Sequence, residues 1–137
     1  MIVTARLTFS AAHRLHNPKH DAEWNRRTYD KCDNPAGHGH NYFLQVSVKG
    51  RIDPETGMVI DLKRLKDIVN ERVIDRVDHR NLNTDVDFLH GIIPTAENLA
   101  HAFWHQLAKA IDHGELYEIV LQETEKNSVA YHGEDER

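Results

Sequence analysis

His38-Gly39-His40-Asn41-Tyr42-Phe43-Leu44-Gln45-Val46-Ser47-Val48-Lys49 is the stretch on which the fold turns. Tyr42, Leu44, Val46 and Val48 alternate with Phe43, Gln45, Ser47 and Lys49, which is the two-residue period of a strand with one buried face. His38 and His40 fall on the same parity, so they carry that face on to the start of the strand. Their backbones should lie about 6.6 Å apart with both rings pointing the same way. Two imidazoles so placed can lean onto one ion. Zinc takes neutral imidazole nitrogens, and a catalytic zinc has three protein ligands and one open position. A third ligand must come from elsewhere.

Working outward, Val3, Ala5, Leu7 and Phe9 alternate with Thr4, Arg6 and Thr8, and Ser10-Ala11-Ala12-His13 follows. This reads as a first strand, and pairing it antiparallel with the second brings its end, His13, beside His38 and His40. Downstream the second strand stops at Gly50, and Asp53-Pro54-Glu55-Thr56-Gly57 is a turn. Leu62, Leu65, Ile68, Val69, Val73 and Val77 recur at spacings of three and four, predicting a helix from Asp61, its N-cap, to Val77. That helix delivers Asp78-His79. A second helix opens after Pro94, with Thr95 as N-cap, Glu97 in the first turn and Gly114 at its C-terminal cap. Strands over Glu115–Thr124 and Ser128–His132 close the chain as a hairpin, and the polar tail Gly133–Arg137 should fray. The segment from Asn17 to Asn34 is too polar for core and reads as a long loop. The expected fold is α+β in the order ββααββ: a four-stranded antiparallel sheet with two helices on one face, one domain spanning residues 1–137. So small a sheet has open edges, which predicts pairing with other chains.

Composition narrows the function classes. The 137 residues carry 17 Lys+Arg against 22 Asp+Glu, a formal charge of -5, with no basic run to track a phosphate backbone, so nucleic acid is not expected as a partner. The start Met1-Ile2-Val3-Thr4 has neither a basic nor an apolar leader region, and no apolar run approaches the roughly 20 residues of a membrane span. With a single cysteine, which excludes an intrachain disulfide, this predicts a reducing, cytoplasmic setting. The 11 histidines stand out. Beyond the three already placed, His16, His20, His90, His101, His105, His113 and His132 read as surface or helix-face residues.

Three other positions carry potential chemistry. Cys32, in a polar loop just upstream of the histidine pair, is either an ordinary half-buried thiol or a base or nucleophile activated by a partner. Asp78-His79 is either a solvated helix end or a carboxylate–imidazole proton relay. Glu123 interrupts an apolar strand. A carboxylate there needs a partner, either a structural cation or a ligand offering two parallel N–H donors, such as a pterin or guanine ring. Arg14, Lys19, Arg26 and Arg27 are phosphate contacts or solvated loop charges. A reading from another class is a non-catalytic zinc-buffering protein, which would bind several exchangeable ions without Cys32, Asp78 or Glu123.

Phe9-Ser10-Ala11-Ala12-His13, Cys32 with five residues before His38-Gly39-His40-Asn41-Tyr42, Asp78-His79-Arg80-Asn81-Leu82-Asn83, Pro94-Thr95-Ala96-Glu97-Asn98 and Glu123-Thr124 together resemble the 6-pyruvoyl tetrahydropterin synthase family, in order and over nearly the whole chain. The resemblance implies the tunnelling fold (T-fold), with sheets joined between subunits into a barrel as trimers, two trimers stacked into a homo-hexamer, and active sites between subunits. It implies zinc on His13, His38 and His40; proton transfer by Cys32, Asp78 and His79; and pterin binding by Glu123, with Thr95 near the ring and Glu97 also matching. The implied reaction converts 7,8-dihydroneopterin triphosphate to 6-pyruvoyl tetrahydropterin. A relative, 6-carboxytetrahydropterin synthase of queuosine biosynthesis, takes the same substrate and also releases acetaldehyde; it commonly has three residues between the cysteine and His-Gly-His. A third subgroup replaces the cysteine by glutamate, which Cys32 argues against.

Overall fold

In the computed structural model, which describes residues 1–136, the alternation becomes a strand pair. Strands β1 (Ile2–His13) and β2 (His38–Lys49) run antiparallel in unbroken register from Ile2 opposite Lys49 to His13 opposite His38. Ala5, Phe9, Ala11 and His13 turn to the same face as Tyr42, Leu44, Val46 and Val48, and all are buried. Each large apolar side chain closed off from water here is worth about 1.5–3 kcal/mol. The opposite face is polar, with the Thr4 and Ser47 hydroxyls 2.7 Å apart across the pair.

Strand β4 (Glu115–Thr124) pairs with β2 and contributes Ile119 and Leu121 to the core, and β5 (Asn127–Tyr131) pairs with β4. The sheet has five strands rather than the expected four, in the order β3-β1-β2-β4-β5. The extra strand, β3 (Arg80–Asn81), lies parallel to β1 beside Ala11 and Ala12. Two residues are too short for any period. What fixes them is their flanks, where His79 N–H donates to the Ser10 carbonyl (2.6 Å) and Leu82 N–H to that of Ala12 (2.8 Å).

Helix α2 (Leu62–Val69) is capped by Asp61, whose carboxylate accepts from Lys63 N–H at 3.0 Å. It does not stay α-helical to Val77: a π-turn, Asn70–Ile74, precedes a last α-turn, α3 (Asp75–Val77). Leu65, Ile68, Val69, Val73, Ile74 and Val77 are all buried, so the wider turn keeps the apolar face aimed at the sheet. Helix α4 (Ala96–Ala108) is capped by Thr95, whose hydroxyl accepts from Asn98 N–H at 3.2 Å. The first of these helices packs on β1 and α4 on β4 and β5, covering one face of the sheet.

Further expectations concern the helix cap, the polar loop and the tail. Gly114 is not the cap of α4, which ends at Ala108. It sits at φ +71 where β4 begins, and a Cβ there would lie 2.7 Å from the Lys49 carbonyl oxygen, so glycine is required by close approach. The polar segment from Asn17 to Asn34 contains α1 (Ala22–Tyr29), capped by Asp21, followed by a 3-10 turn, Asp30–Asp33. It is organised by a polar centre. Buried Asn25 donates to the carbonyls of Asn17 (3.0 Å) and Asp21 (2.9 Å) and accepts from Asn17 N–H (2.7 Å). The tail expected to fray forms a 3-10 turn at Glu134–Glu136, and Arg137 lies outside the described residues. Among the described residues no helix is long and apolar enough to cross a membrane.

Candidate metal centre and adjoining cleft

The register of β1 and β2 closes the histidine cluster that the His-Gly-His pair leaves one ligand short. One nitrogen each from His13, His38 and His40 lies within 4.8 Å of the others. His13 Nε2 is 3.1 Å from His38 Nε2. Two nitrogens on one tetrahedral zinc lie about 3.3 Å apart, given zinc–nitrogen bonds of about 2.0–2.1 Å. His13 is only 1% exposed, and its Nδ1–H donates to the Pro94 carbonyl at 2.8 Å. That bond fixes the tautomer, leaving the Nε2 lone pair free to bind a cation. Burial, reinforced by the two neighbouring imidazoles, lowers the His13 pKa to about 4. Burial also lowers that of His40, against an opposing pull from Glu123. Both rings are therefore neutral at neutral pH, the form a metal requires. His38 Nδ1 and His40 Nε2 are buried with no hydrogen-bond partner. Stranded polar atoms cost free energy unless something binds them. The donor set and the unpaired His40 Nε2 fit a metal ion, with His38 offering one of its two nitrogens.

Glu123 stands beside the cluster, its Oε1 3.8 Å from His40 Nε2. The reason is parity: Glu123 continues the alternation of Ile119 and Leu121, so it points to the face of the sheet that carries Tyr42 and the histidines, at the end of the β4–β5 ladder where the register shifts between Gln122 and Thr124. Glu123, Thr95 and Glu97 line one cleft of about 440 Å³, with Leu15 and Tyr29 on its walls. The three residues expected to bind a ring are thus brought together, although Thr95 also spends a lone pair capping α4.

Cys32 sits half-buried in the 3-10 turn. Burial pushes its thiol pKa up, and the carboxylates of Glu123 and Asp30 push the same way, so in the isolated chain it holds its proton. Asp78 and His79 are elsewhere. Asp78 accepts from Ser10 N–H at 2.9 Å, which leads the causes lowering its pKa, and its Oδ1 lies 3.0 Å from His79 Nδ1. His79, held at φ +60, projects an 82% exposed ring into a second cleft of about 460 Å³ with Ser10, Asn41 and Arg80. Among the described residues neither Asp78 nor His79 bonds to Cys32. The structure thus joins the three histidines to Glu123, and joins Asp78 to His79, without joining the two groups.

Sequence reasoning misses the Pro94 carbonyl, which orients His13, because a backbone acceptor leaves no mark in a motif. It also misses Tyr29 and Leu15, which reach the cleft from or beside the polar segment that reads as loop. Buried Tyr42, stacked on Phe9 at 4.6 Å and with its hydroxyl 3.5 Å from His13 Nδ1, is visible as core but not as a neighbour of the cluster.

Fold and site together define an α+β protein with a metal-capable three-histidine cluster at the end of an antiparallel strand pair, opening on a carboxylate-bearing cleft. A family described as 6-pyruvoyl tetrahydropterin synthase matches residues 2–134, and the chain belongs to that family. A 6-pyruvoyl tetrahydrobiopterin synthase of Poecilia reticulata is 46% identical over 132 residues, covering 96% of this chain and 90% of that protein. The Homo sapiens protein of the same name is 43% identical over 132 residues, covering 96% and 91%. The solved structure of Caenorhabditis elegans 6-pyruvoyl tetrahydropterin synthase superposes with a TM-score of 0.89 at 43% identity, covering 97% of this chain and 96% of that one.

Proposed function

We propose that this chain is a lyase converting 7,8-dihydroneopterin triphosphate to 6-pyruvoyl tetrahydropterin with release of triphosphate, and that it uses zinc held by His13, His38 and His40. The observation that carries the reading is the position of Glu123, on the histidine-bearing face of β4, lining the cleft and 3.8 Å from the histidine cluster. A carboxylate there accepts the two parallel N–H donors of a pterin's amino-pyrimidine edge, with the substrate's side-chain hydroxyls directed toward the histidines. Thr95 and Glu97 bound the ring. A bound zinc supplies Lewis acidity to those hydroxyls, lowering their pKa and that of the adjoining C–H.

Cys32 is the proton-transfer residue. Its thiol is held protonated in the chain by itself, so it needs a base. His79 can act as that base, because with Nδ1–H bonded to the Asp78 carboxylate its Nε2 keeps an available lone pair. Because that pair does not reach Cys32 within one chain, we assign the relay to sites between subunits. Among the described residues β1 has a strand partner beyond its β2 side only at Ala11 and Ala12, and β5 is an edge strand, which supports joining sheets into a barrel of trimers and a homo-hexamer. We assign residues 1–137 to one domain and the protein to the cytoplasm, with no nucleic acid or membrane partner.

The zinc-loaded protein should release triphosphate from this substrate, and Cys32→Ala should slow release by about 100-fold or more. No release by the wild type, or an unaffected rate in the variant, overturns the assignment.

A further inference from the structure

The turn that carries Cys32 belongs to no sheet ladder, so other contacts set its place in the fold. Those contacts lie in the three residues after His13. Leu15 N–H donates to the Cys32 carbonyl at 2.8 Å. Arg14 Nε–H donates to the Asp33 carbonyl, also at 2.8 Å. The Asp33 carboxylate, 15% exposed, takes two more donors: its Oδ1 is 3.1 Å from Arg14 Nη2 and 2.7 Å from His16 Nδ1.

Arg14 is itself anchored from the other side. Its N–H donates to Asn83 Oδ1 at 2.7 Å, and Asn83 Nδ2 donates back to the Arg14 carbonyl at 2.8 Å. The backbone of residue 14 is thus pinned to the loop after β3 while its guanidinium grips the Cys32 turn. On the far side of that turn, Asn34 to Gly37 closes on itself, Gly37 N–H donating to the Asn34 carbonyl at 2.8 Å. The carboxylate of Asp33 therefore adds contacts from Arg14 and His16 to the two backbone contacts at residues 32 and 33. Charge-assisted contacts at a partly buried carboxylate are stronger and more directional than neutral ones.

We propose that Asp33 is a positioning residue for Cys32, acting through Arg14 and His16 to fix the thiol relative to His13. This rests on the assignment of Cys32 to proton transfer. The test uses the zinc-loaded full chain with Asp33→Ala and, in case that variant folds poorly, Asp33→Asn, which keeps the size of the side chain and one acceptor. Because Cys32 is the single cysteine, iodoacetamide alkylation reports on it alone. Expected is a fall in kcat of about 10- to 100-fold in Asp33→Ala and a smaller one in Asp33→Asn, as misplacement of a reacting group produces. KM should change by less than about twofold, zinc content should hold, and the pH profile of Cys32 alkylation should shift. Wild-type kcat with an unchanged alkylation profile overturns the proposal. So does a loss of kcat that tracks loss of zinc or of folded protein, since the role is then structural. If Cys32→Ala itself keeps full activity, the assignment of Cys32 fails instead, a result that Asp33 variants cannot mimic.

Discussion

Acidifying the metal-free protein should destabilise it through His13 in a calculable window. The unfolded chain takes up a proton on this residue near 6.5, whereas the folded chain, which buries the ring against two other imidazoles, does so only near 4. Between those values the unfolded state holds more protons, so stability falls as pH falls. Each unit costs about 1.4 kcal/mol, and the interval of 2.5 units amounts to about 3 kcal/mol. Above 6.5 the residue contributes no pH dependence. The assay is urea denaturation of chelator-treated protein at pH 7, 6, 5 and 4.5, run in parallel on His13→Asn, which removes the titrating group but leaves a donor for Pro94. The difference between the two curves reports His13 together with its coupling to His38 and His40. A wild type and variant whose stabilities decline in parallel over this interval would rule out His13 as the source of the pH dependence.

Other outcomes follow from the same geometry. Glu123→Ala should lower kcat/KM for the pterin substrate by about 10- to 150-fold, the value of charge-assisted hydrogen bonds, while leaving bound metal unchanged; equal kinetics would remove Glu123 from the site. Metal analysis should give about one zinc per chain, lost in His40→Ala, as expected for one closed set of histidine ligands. Several exchangeable ions that persist in the variant would favour a zinc-buffering protein instead. Gly114→Ala should cost about 2 kcal/mol or more of unfolding free energy, because its Cβ meets the Lys49 carbonyl and its φ is positive; thermal unfolding at the wild-type temperature would count against that requirement.

The parts of the fold legible in the sequence are those written in periodicity. Tyr42, Leu44, Val46 and Val48 mark β2 and its buried face, and parity alone places His38 and His40 on it. The antiparallel rule then brings His13 beside them, and the observed register sets it opposite His38. The parts that stay hidden are held by single polar contacts. β3 depends on two hydrogen bonds to β1, α1 on the amide of Asn25, and the π-turn changes the pitch of a helix without changing which residues are apolar. The motif Glu123-Thr124 marks a site residue, and the alternation Ile119, Leu121, Glu123 turns its carboxylate to the face of the histidines; the Thr95 and Glu97 side of the cleft is set by tertiary packing that no alternation encodes. Asp78-His79 and Cys32 look like one group by sequence; the anchoring of Asp78 on Ser10 separates them within the chain.

Whether the histidine cluster and the Glu123 cleft form one catalytic site is decided by the product that leaves it. Zinc-loaded protein incubated with 7,8-dihydroneopterin triphosphate, followed by mass spectrometry of the pterin, reads that product without intermediaries. The mass of 6-pyruvoyl tetrahydropterin is expected, together with triphosphate and no acetaldehyde. A 6-carboxytetrahydropterin with acetaldehyde, or unchanged substrate, would overturn the assignment.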